Sequence, residues 1–118
     1  MDKKIEDLIY FILKDAPYKC YSGWYKEDYS STTVTVFLCT NEIDVDYSDD
    51  DEEGVIYNFQ FSTFSKNKEE AIKQRKYTRK VLKENGFIKQ SESNESYETE
   101  TELHHLADRF IYYVPSES

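Results

Sequence analysis

Residues 55–64 read Val-Ile-Tyr-Asn-Phe-Gln-Phe-Ser-Thr-Phe, and this stretch alternates more cleanly than any other in the chain. Val55, Tyr57, Phe59 and Phe61 fall on one side and polar residues fall between them. Because successive side chains of a strand point to opposite faces, the alternation predicts a strand with one aromatic face. Such a face has to be buried against another layer, so the segment predicts a sheet covered by other elements.

Two amphipathic segments can supply the covering layer. Apolar residues recur at helical spacing near the N-terminus and predict a helix over residues 2–14, with Asp2 as its cap. Asn67 opens a capping box that predicts a second helix over about residues 68–85. Gly86 follows that segment and is the residue type that most often ends a helix.

The other strand signals lie on both sides of the second helix. In chain order they are 18–29 (a short strand or an ordered loop), 32–40, 87–89, 97–102 (a solvated strand or arm) and 106–114. The polar cluster at 91–94 predicts a turn. The predicted order is α-β-β-β-α-β-β, an α+β fold in which two helices pack on a mostly antiparallel sheet.

The length of 118 residues predicts a single domain, 1–118, with one core. Within it we expect a solvated acidic loop at about 42–54 and a disordered tail at 115–118. The charged N-terminus leads directly into helical periodicity, and no apolar run approaches the ~20 residues of a membrane span. We therefore expect synthesis in the cytoplasm and no membrane partner.

The charge balance restricts the possible partners. Lys and Arg number 15 and Asp and Glu number 24, which gives a net charge of −9. A chain this acidic repels phosphate backbones, so specific nucleic-acid binding is not expected. Cys20 and Cys39 lie outside any C-x-x-C pattern, and although their number allows a disulfide, free, partly buried thiols are favoured in a cytosolic protein.

The candidates for chemistry are weak. Eight acids lie between residues 42 and 53, but they lack the EF-hand order of ligands, so a solvated loop is favoured over a cation site. His104 and His105 are adjacent and would face opposite sides of a strand, with one packed and one exposed. The sequence contains no nucleotide-binding loop and no catalytic motif. We therefore expect that the chain is not an enzyme and binds no cofactor.

Charge segregation suggests how copies of the chain could meet. Eight of the fifteen basic residues lie between Lys66 and Lys83, whereas acids concentrate in 42–53 and 92–102. The basic segment could bind phosphate or pair with acids, and the net charge favours pairing. A contact between an acidic loop and the basic helix of a neighbour runs head to tail. The residues predicted for this interface are Asp46, Asp49, Asp50, Asp51, Arg75 and Arg79.

Several features in a fixed order carry a resemblance to a known family. An amphipathic helix is followed by an acidic loop that leads into Tyr-Asn-Phe-Gln-Phe-Ser-Thr-Phe-Ser-Lys66, and a helix ends in Lys-Glu-Asn-Gly-Phe87. The chain finishes with Tyr97-Glu-Thr-Glu-Thr, then His104, then Arg109-Phe110. In this order it resembles the small tail-completion, or tail-terminator, proteins of long-tailed bacteriophages and Gram-positive prophages.

The resemblance implies an α+β structural protein of the virion tail without catalytic residues. Such proteins form a ring, commonly a hexamer, at the head-proximal end of the tail tube, where they stop tube growth and join tail to head. The implied partners are copies of the chain itself, the tail-tube protein and a head-completion or connector protein. The alternatives are an acidic DNA-mimic or regulatory binding protein, another head–tail connector or minor tail protein, and a metal-dependent nuclease that uses the carboxylates.

Overall fold

A computed structural model describes residues 2–26, 32–47 and 52–115. In chain order the elements are α1 (Lys3–Ile12), β1 (Lys19–Ser22), β2 (Val34–Tyr47), β3 (Glu52–Ser65), α2 (Lys68–Glu84), β4 (Ile88–Glu98) and β5 (Leu103–Pro115). The strands form one sheet in the order β1-β2-β3-β5-β4, antiparallel except for the β1–β2 pair. The predicted element order and α+β class are confirmed.

Local side-chain chemistry sets the helix ends. The Asp2 carboxylate accepts a hydrogen bond from the Lys4 N–H at 2.8 Å, and the Asn67 side chain accepts one from the Glu70 N–H at 3.1 Å. Both satisfy amides that have no partner inside the helix. At the end of α2, Gly86 takes a φ of +87°, which glycine adopts without steric cost. These predicted caps are confirmed.

The core lies between the two helices and one face of the sheet. The register places Phe37 opposite Phe61 and Phe59 opposite Phe110, and all four side chains are buried. Directly opposed residues project to the same face, so the four rings form a continuous aromatic surface. The helices cover it with Ile5, Ile9, Ile12, Leu13 and Leu82.

The opposite face of the sheet is covered only near β1 in the described part of the chain. There Trp24 and Tyr25 lie over Phe64, at ring-centroid distances of 5.8 and 4.6 Å. Phe64 forms a second small cluster with Val34 and Val36. We call the uncovered side of the sheet the open face.

The acidic segment 42–54 is more regular than predicted. Strands β2 and β3 continue into it, so the expectation of a loop over the whole range is wrong. The physical reason is that Ile43 and Val45 alternate with acidic residues, which is the periodicity of a strand. The backbone of this segment can therefore pair with β3 while Glu42 and Asp44 project from one face of the sheet. Residues 48–51 lie outside the described residues.

Two further predictions near the C-terminus are corrected. Residues 91–94 lie within β4 rather than in a turn, and the pairing with β5 shifts register between Lys89 and Ser93. Backbone hydrogen bonds to β5 outweigh the turn preference of the polar residues there. The predicted strand or arm at 97–102 is correct only for Tyr97 and Glu98, which end β4; residues 99–102 form the turn between β4 and β5, with Glu102 at a φ of +59°.

The molecule is elongated, with extents of 53 × 25 × 23 Å and a radius of gyration of 15.5 Å. A compact chain of this length would have a radius of about 13.5 Å. The β2 and β3 strands have 14 residues each, and a strand of that length spans about 46 Å. We call the end of this hairpin, residues 42–47 and 52–57, the arm.

Candidate interaction surfaces

Neither a metal-ligand cluster nor a membrane-spanning helix is found among the described residues. No three His, Cys, Asp or Glu side chains within 2–26, 32–47 and 52–115 are grouped to hold a metal ion. In the same ranges no helix is long and apolar enough to cross a membrane. The features that stand out on the surface are apolar and charged patches.

An apolar patch lies on the open face at the arm end. Ile43 is the register partner of Ile56, which is the partner of Tyr113, and Ile88 is the partner of Ile111. Ile43, Ile88 and Tyr113 are 45, 58 and 40% exposed. We call these five residues the open-face patch. They alternate with core residues, so the patch results from the same strand periodicity that builds the core.

Gly54 allows Tyr113 to lie flat on the sheet. A Cβ atom at Gly54 would sit 2.5 Å from the Tyr113 ring, closer than real contacts allow. The bare backbone of Gly54 therefore serves as the surface on which the ring rests. This arrangement holds the tyrosine as a rigid, half-exposed aromatic within the open-face patch.

The other side of the arm is acidic. Glu42 is the partner of Tyr57 and Asp44 is the partner of Val55, so both carboxylates project to the helix-bearing face. Glu53 lies two residues before Val55 and shares that face. We call Glu42, Asp44 and Glu53, all exposed, the acidic row. Burial, followed by nearby carboxylates that include Glu42 and Asp44, raises the pKa of Tyr57.

The two arginines predicted for the interface make ion pairs inside the chain. Arg79 donates from Nε and Nη2 to both carboxylate oxygens of Asp108, at 2.8 and 2.7 Å. Asp108 is only 4% exposed. Its hydrogen bonds raise the pKa of Arg79. Arg75 pairs with Glu95 at 3.0 Å.

The predicted interface residues are therefore not brought together within the described residues. Arg75 and Arg79 do not lie on the outer face of α2, because their long side chains reach back to Glu95 and Asp108 on the sheet. Asp46 lies in β2 opposite Glu53. Asp49, Asp50 and Asp51 lie outside the described residues. A role for these positions in contacts between copies stays a prediction.

The outer face of α2 carries lysines instead. Lys73, Lys76, Lys80 and Lys83 follow one another at spacings of three or four residues and form one exposed stripe. We call them the lysine stripe. None of the four makes an ion pair within the described residues. The stripe is an unneutralised basic surface on a chain of net charge −9.

The two histidines face opposite sides of β5, as predicted. His105 stacks on Phe64 at 4.2 Å, and His104 lies beside Tyr97 at 4.7 Å. The expectation that one histidine would be exposed is wrong, because aromatic neighbours leave both half-buried. The buried Nε2 atom of His105 has no hydrogen-bond partner among the residues that the structure describes. His104 and His105 therefore act as packing residues.

Protonation of His105 should weaken the fold in mild acid. Burial lowers the pKa of His105 from its usual 6.5. A lowered pKa in the folded state contributes stability above the unfolded pKa and loses it as pH falls through the folded pKa. We expect His105→Phe, which keeps the stack on Phe64, to lose less free energy of unfolding than wild type between pH 7 and 5. Urea titrations at both pH values would measure this, and equal losses would contradict it.

Gln74 is a buried residue that sequence reasoning missed. Its side chain accepts from the Tyr18 N–H at 3.1 Å and donates to the Tyr18 carbonyl at 3.0 Å and to Cys20 Sγ at 3.4 Å. These bonds attach the segment before β1 to α2. The sequence did contain a signal for the burial of Gln74, because this residue lies three positions after Ala71 and four before Thr78, on the inward-facing stripe of α2.

Cys20 borders an open cleft of about 570 Å³ that is lined also by Tyr10, Leu13 and Lys14. Burial raises the pKa of its thiol to about 12. A thiol with that pKa is almost entirely protonated at neutral pH, and the thiolate is the nucleophilic form. The cleft therefore holds no activated cysteine. Cys20 and Cys39 are both free and partly buried, as predicted.

Alkylation should reveal the protected thiol directly. At pH 8 we expect iodoacetamide to modify Cys20 in the folded Cys39→Ser variant on the order of 10³-fold more slowly than in the unfolded chain, because the thiolate fraction is about 10⁻⁴. Mass spectrometry of timed samples would give both rates. A folded rate equal to the unfolded rate would contradict the burial of Cys20.

Comparisons with known proteins bear on the fold. No protein-family model matches the chain, and no curated protein is similar enough to match. Among solved structures, a chain from "Virion of native gene transfer agent (GTA) particle" is similar, with a TM-score of 0.50 and 12% sequence identity. The alignment covers 92% of this chain and 85% of that chain. At this identity, the likeness establishes a shared α+β fold.

Proposed function

We propose that this chain is a structural protein of a phage-like virion, which assembles as a ring at the head-proximal end of the tail tube. The ring ends tube growth and joins the tail to the head. The observation that carries the proposal is the open-face patch. A sheet face with large exposed apolar residues is the kind of surface that proteins use to bind one another.

The patch supports an assembly role more than a catalytic one. It combines a rigid tyrosine with four exposed or half-exposed isoleucines, and none of these five residues is charged. Large aromatic side chains surrounded by apolar neighbours supply most of the energy at protein interfaces. No convergent group of acid, base and nucleophile accompanies the patch in the described part of the chain.

The assignment to a virion draws on two independent likenesses. The shared fold extends over 92% of this chain, and the neighbour belongs to a gene transfer agent virion. The sequence features also resemble those of tail-completion proteins of long-tailed phages. Together they favour a virion protein that is made in the host cytoplasm and forms a ring of its own copies. The partners in this proposal are the tail-tube protein and a head-completion or connector protein.

Capping of tail tubes tests the proposal. Purified chain added to the polymerising tail-tube protein of the same particle should give rings on one tube end in electron micrographs and shorter tubes. The Ile43→Ser/Ile88→Ser variant should lose this effect, because it makes the open-face patch polar. Phe11→Ser is the matched control, since Phe11 is 64% exposed on α1, away from the patch.

The outcomes separate the proposal from its alternatives. Unchanged tube lengths and no bound rings would contradict a terminator role. Binding of the chain to a connector protein in place of the tube would identify a head–tail connector. Competition with DNA for a DNA-binding enzyme would instead support the DNA-mimic alternative.

A further inference from the structure

We propose that neighbouring copies meet head to tail, with the acidic row on the arm of one copy lying along the lysine stripe on α2 of the next. The occupant of the lysine stripe is thus a second copy of this chain. The inference rests on the proposed ring and specifies the two surfaces that close it.

The arm presents its charge in an ordered way. Pairing with β3 fixes Asp44 opposite Val55, and Val55 packs against the core, so the Asp44 side chain is held on the helix-bearing face. Glu53 follows on the paired strand and is exposed, as Asp44 is. Neither carboxylate pairs with α2 of its own chain in the described ranges. The charges of Asp44 and Glu53 are therefore not neutralised by α2 of the same chain.

The helix presents a complementary surface. Inward positions of α2 bury Ala71, Gln74, Thr78 and Leu82, which turns the lysine stripe to the outside. The arginines of the same helix are neutralised by Asp108 and Glu95. The lysines alone leave α2 with positive charge that the described acids of its own chain do not neutralise.

The two surfaces match in length. Four positions along β2 separate Glu42 from the position opposite Glu53, and a strand rises about 3.4 Å per residue, so the acidic row spans about 14 Å. Ten residues separate the ends of the lysine stripe, which spans about 15 Å at 1.5 Å per residue. One row can therefore lie along the whole of the other.

The surfaces are different parts of the molecule, which determines the symmetry. A contact between two different patches is heterologous, so it closes into a ring or continues as a filament. It also places opposite charges together in a chain whose overall charge is repulsive. A back-to-back pairing of two arms through their acidic rows would place like charges together.

Paired charge reversals test the contact. The first variant, Asp44→Lys/Glu53→Lys, places two lysines in the acidic row, where they face the lysine stripe. The second, Lys76→Glu/Lys80→Glu, places two acids in the lysine stripe, where they face the acidic row. Alone, each should self-associate on the order of 100-fold more weakly than wild type, because the reversed side chains meet like charge at every contact. Mixed in equal amounts, they should assemble, because alternating copies restore opposite charges at every contact.

Sedimentation velocity and native mass spectrometry would follow assembly, with the tail-tube protein present as a nucleus in a second series. Two matched controls, Glu98→Lys/Glu100→Lys and Lys14→Glu/Lys19→Glu, change the net charge equally at exposed positions outside the acidic row and the lysine stripe and should assemble like wild type. Native masses of the mixture should show even-numbered rings with alternating copies.

Each result decides between the two proposals. Variants that assemble as wild type does would overturn the arm-to-helix contact and leave the ring intact. Variants that fail alone and also fail when mixed would overturn it too, because restored complementarity would then have no effect. A wild-type chain that stays monomeric up to ~1 mM, with and without the tube protein, would overturn both the contact and the proposed ring.

Discussion

Replacing Arg79 with alanine should lower the free energy of unfolding by about 3–5 kcal/mol. Arg79 makes two hydrogen bonds to Asp108, at 2.8 and 2.7 Å, and Asp108 is 4% exposed. Without the guanidinium, the buried carboxylate has no neutralising partner, and water cannot hydrate it fully. Chemical denaturation at pH 7 would measure the loss.

Two comparisons separate this mechanism from a general effect of arginine removal. Arg75→Ala should cost about 1 kcal/mol or less, because its partner Glu95 has half of its side chain exposed. Arg79→Met combined with Asp108→Leu should recover most of the loss, since the register neighbour of Asp108 is the apolar Phe61. A loss from Arg79→Ala no larger than that from Arg75→Ala would contradict the prediction.

Replacing Phe59 with alanine should lower the free energy of unfolding by about 3–5 kcal/mol. Phe59 has no exposed surface, and its ring centroid lies 6.3, 6.1 and 5.9 Å from those of Tyr57, Phe61 and Phe87. Rings from β3 and from the connection between α2 and β4 surround this ring, so the cavity left by truncation cannot close by moving one side chain. A domain of this kind has a total stability of about 5–15 kcal/mol, so the variant approaches the limit of folding.

A graded pair of variants checks the cavity explanation. Phe59→Leu keeps much of the volume and should cost clearly less than alanine. Phe11→Ala removes the same ring from an exposed site on α1 and should change stability by no more than about 0.5 kcal/mol. Equal losses for Phe59→Ala and Phe11→Ala in urea titrations would rule out a special role for the buried ring.

The helices were predictable because their signals are local. Asp2, Asn67 and Gly86 act on amides and carbonyls within about one turn, so a short window of sequence contains the relevant chemistry. The aromatic face of β3 was equally predictable, because successive side chains of a strand point to opposite faces of the sheet.

The interaction surfaces were less predictable. The basic character of α2 is visible in the sequence, but only the fold shows that its arginines pair with Asp108 and Glu95 while lysines remain exposed. Asp108 is 29 residues from Arg79 in the chain. The choice between an internal and an external partner depends on which strand lies under the helix, and no local pattern encodes that.

By itself the sequence determined the element order, the helix ends and the aromatic side of the sheet, since these depend on periodicity and on contacts within a few residues. Only the tertiary structure decided that β1 joins the sheet in parallel, that strands continue into the acidic segment, and that an apolar patch stays uncovered. Those features depend on pairing between segments far apart in the chain. Their free energy comes from backbone hydrogen bonds and burial that exist only once the partner strand is in place.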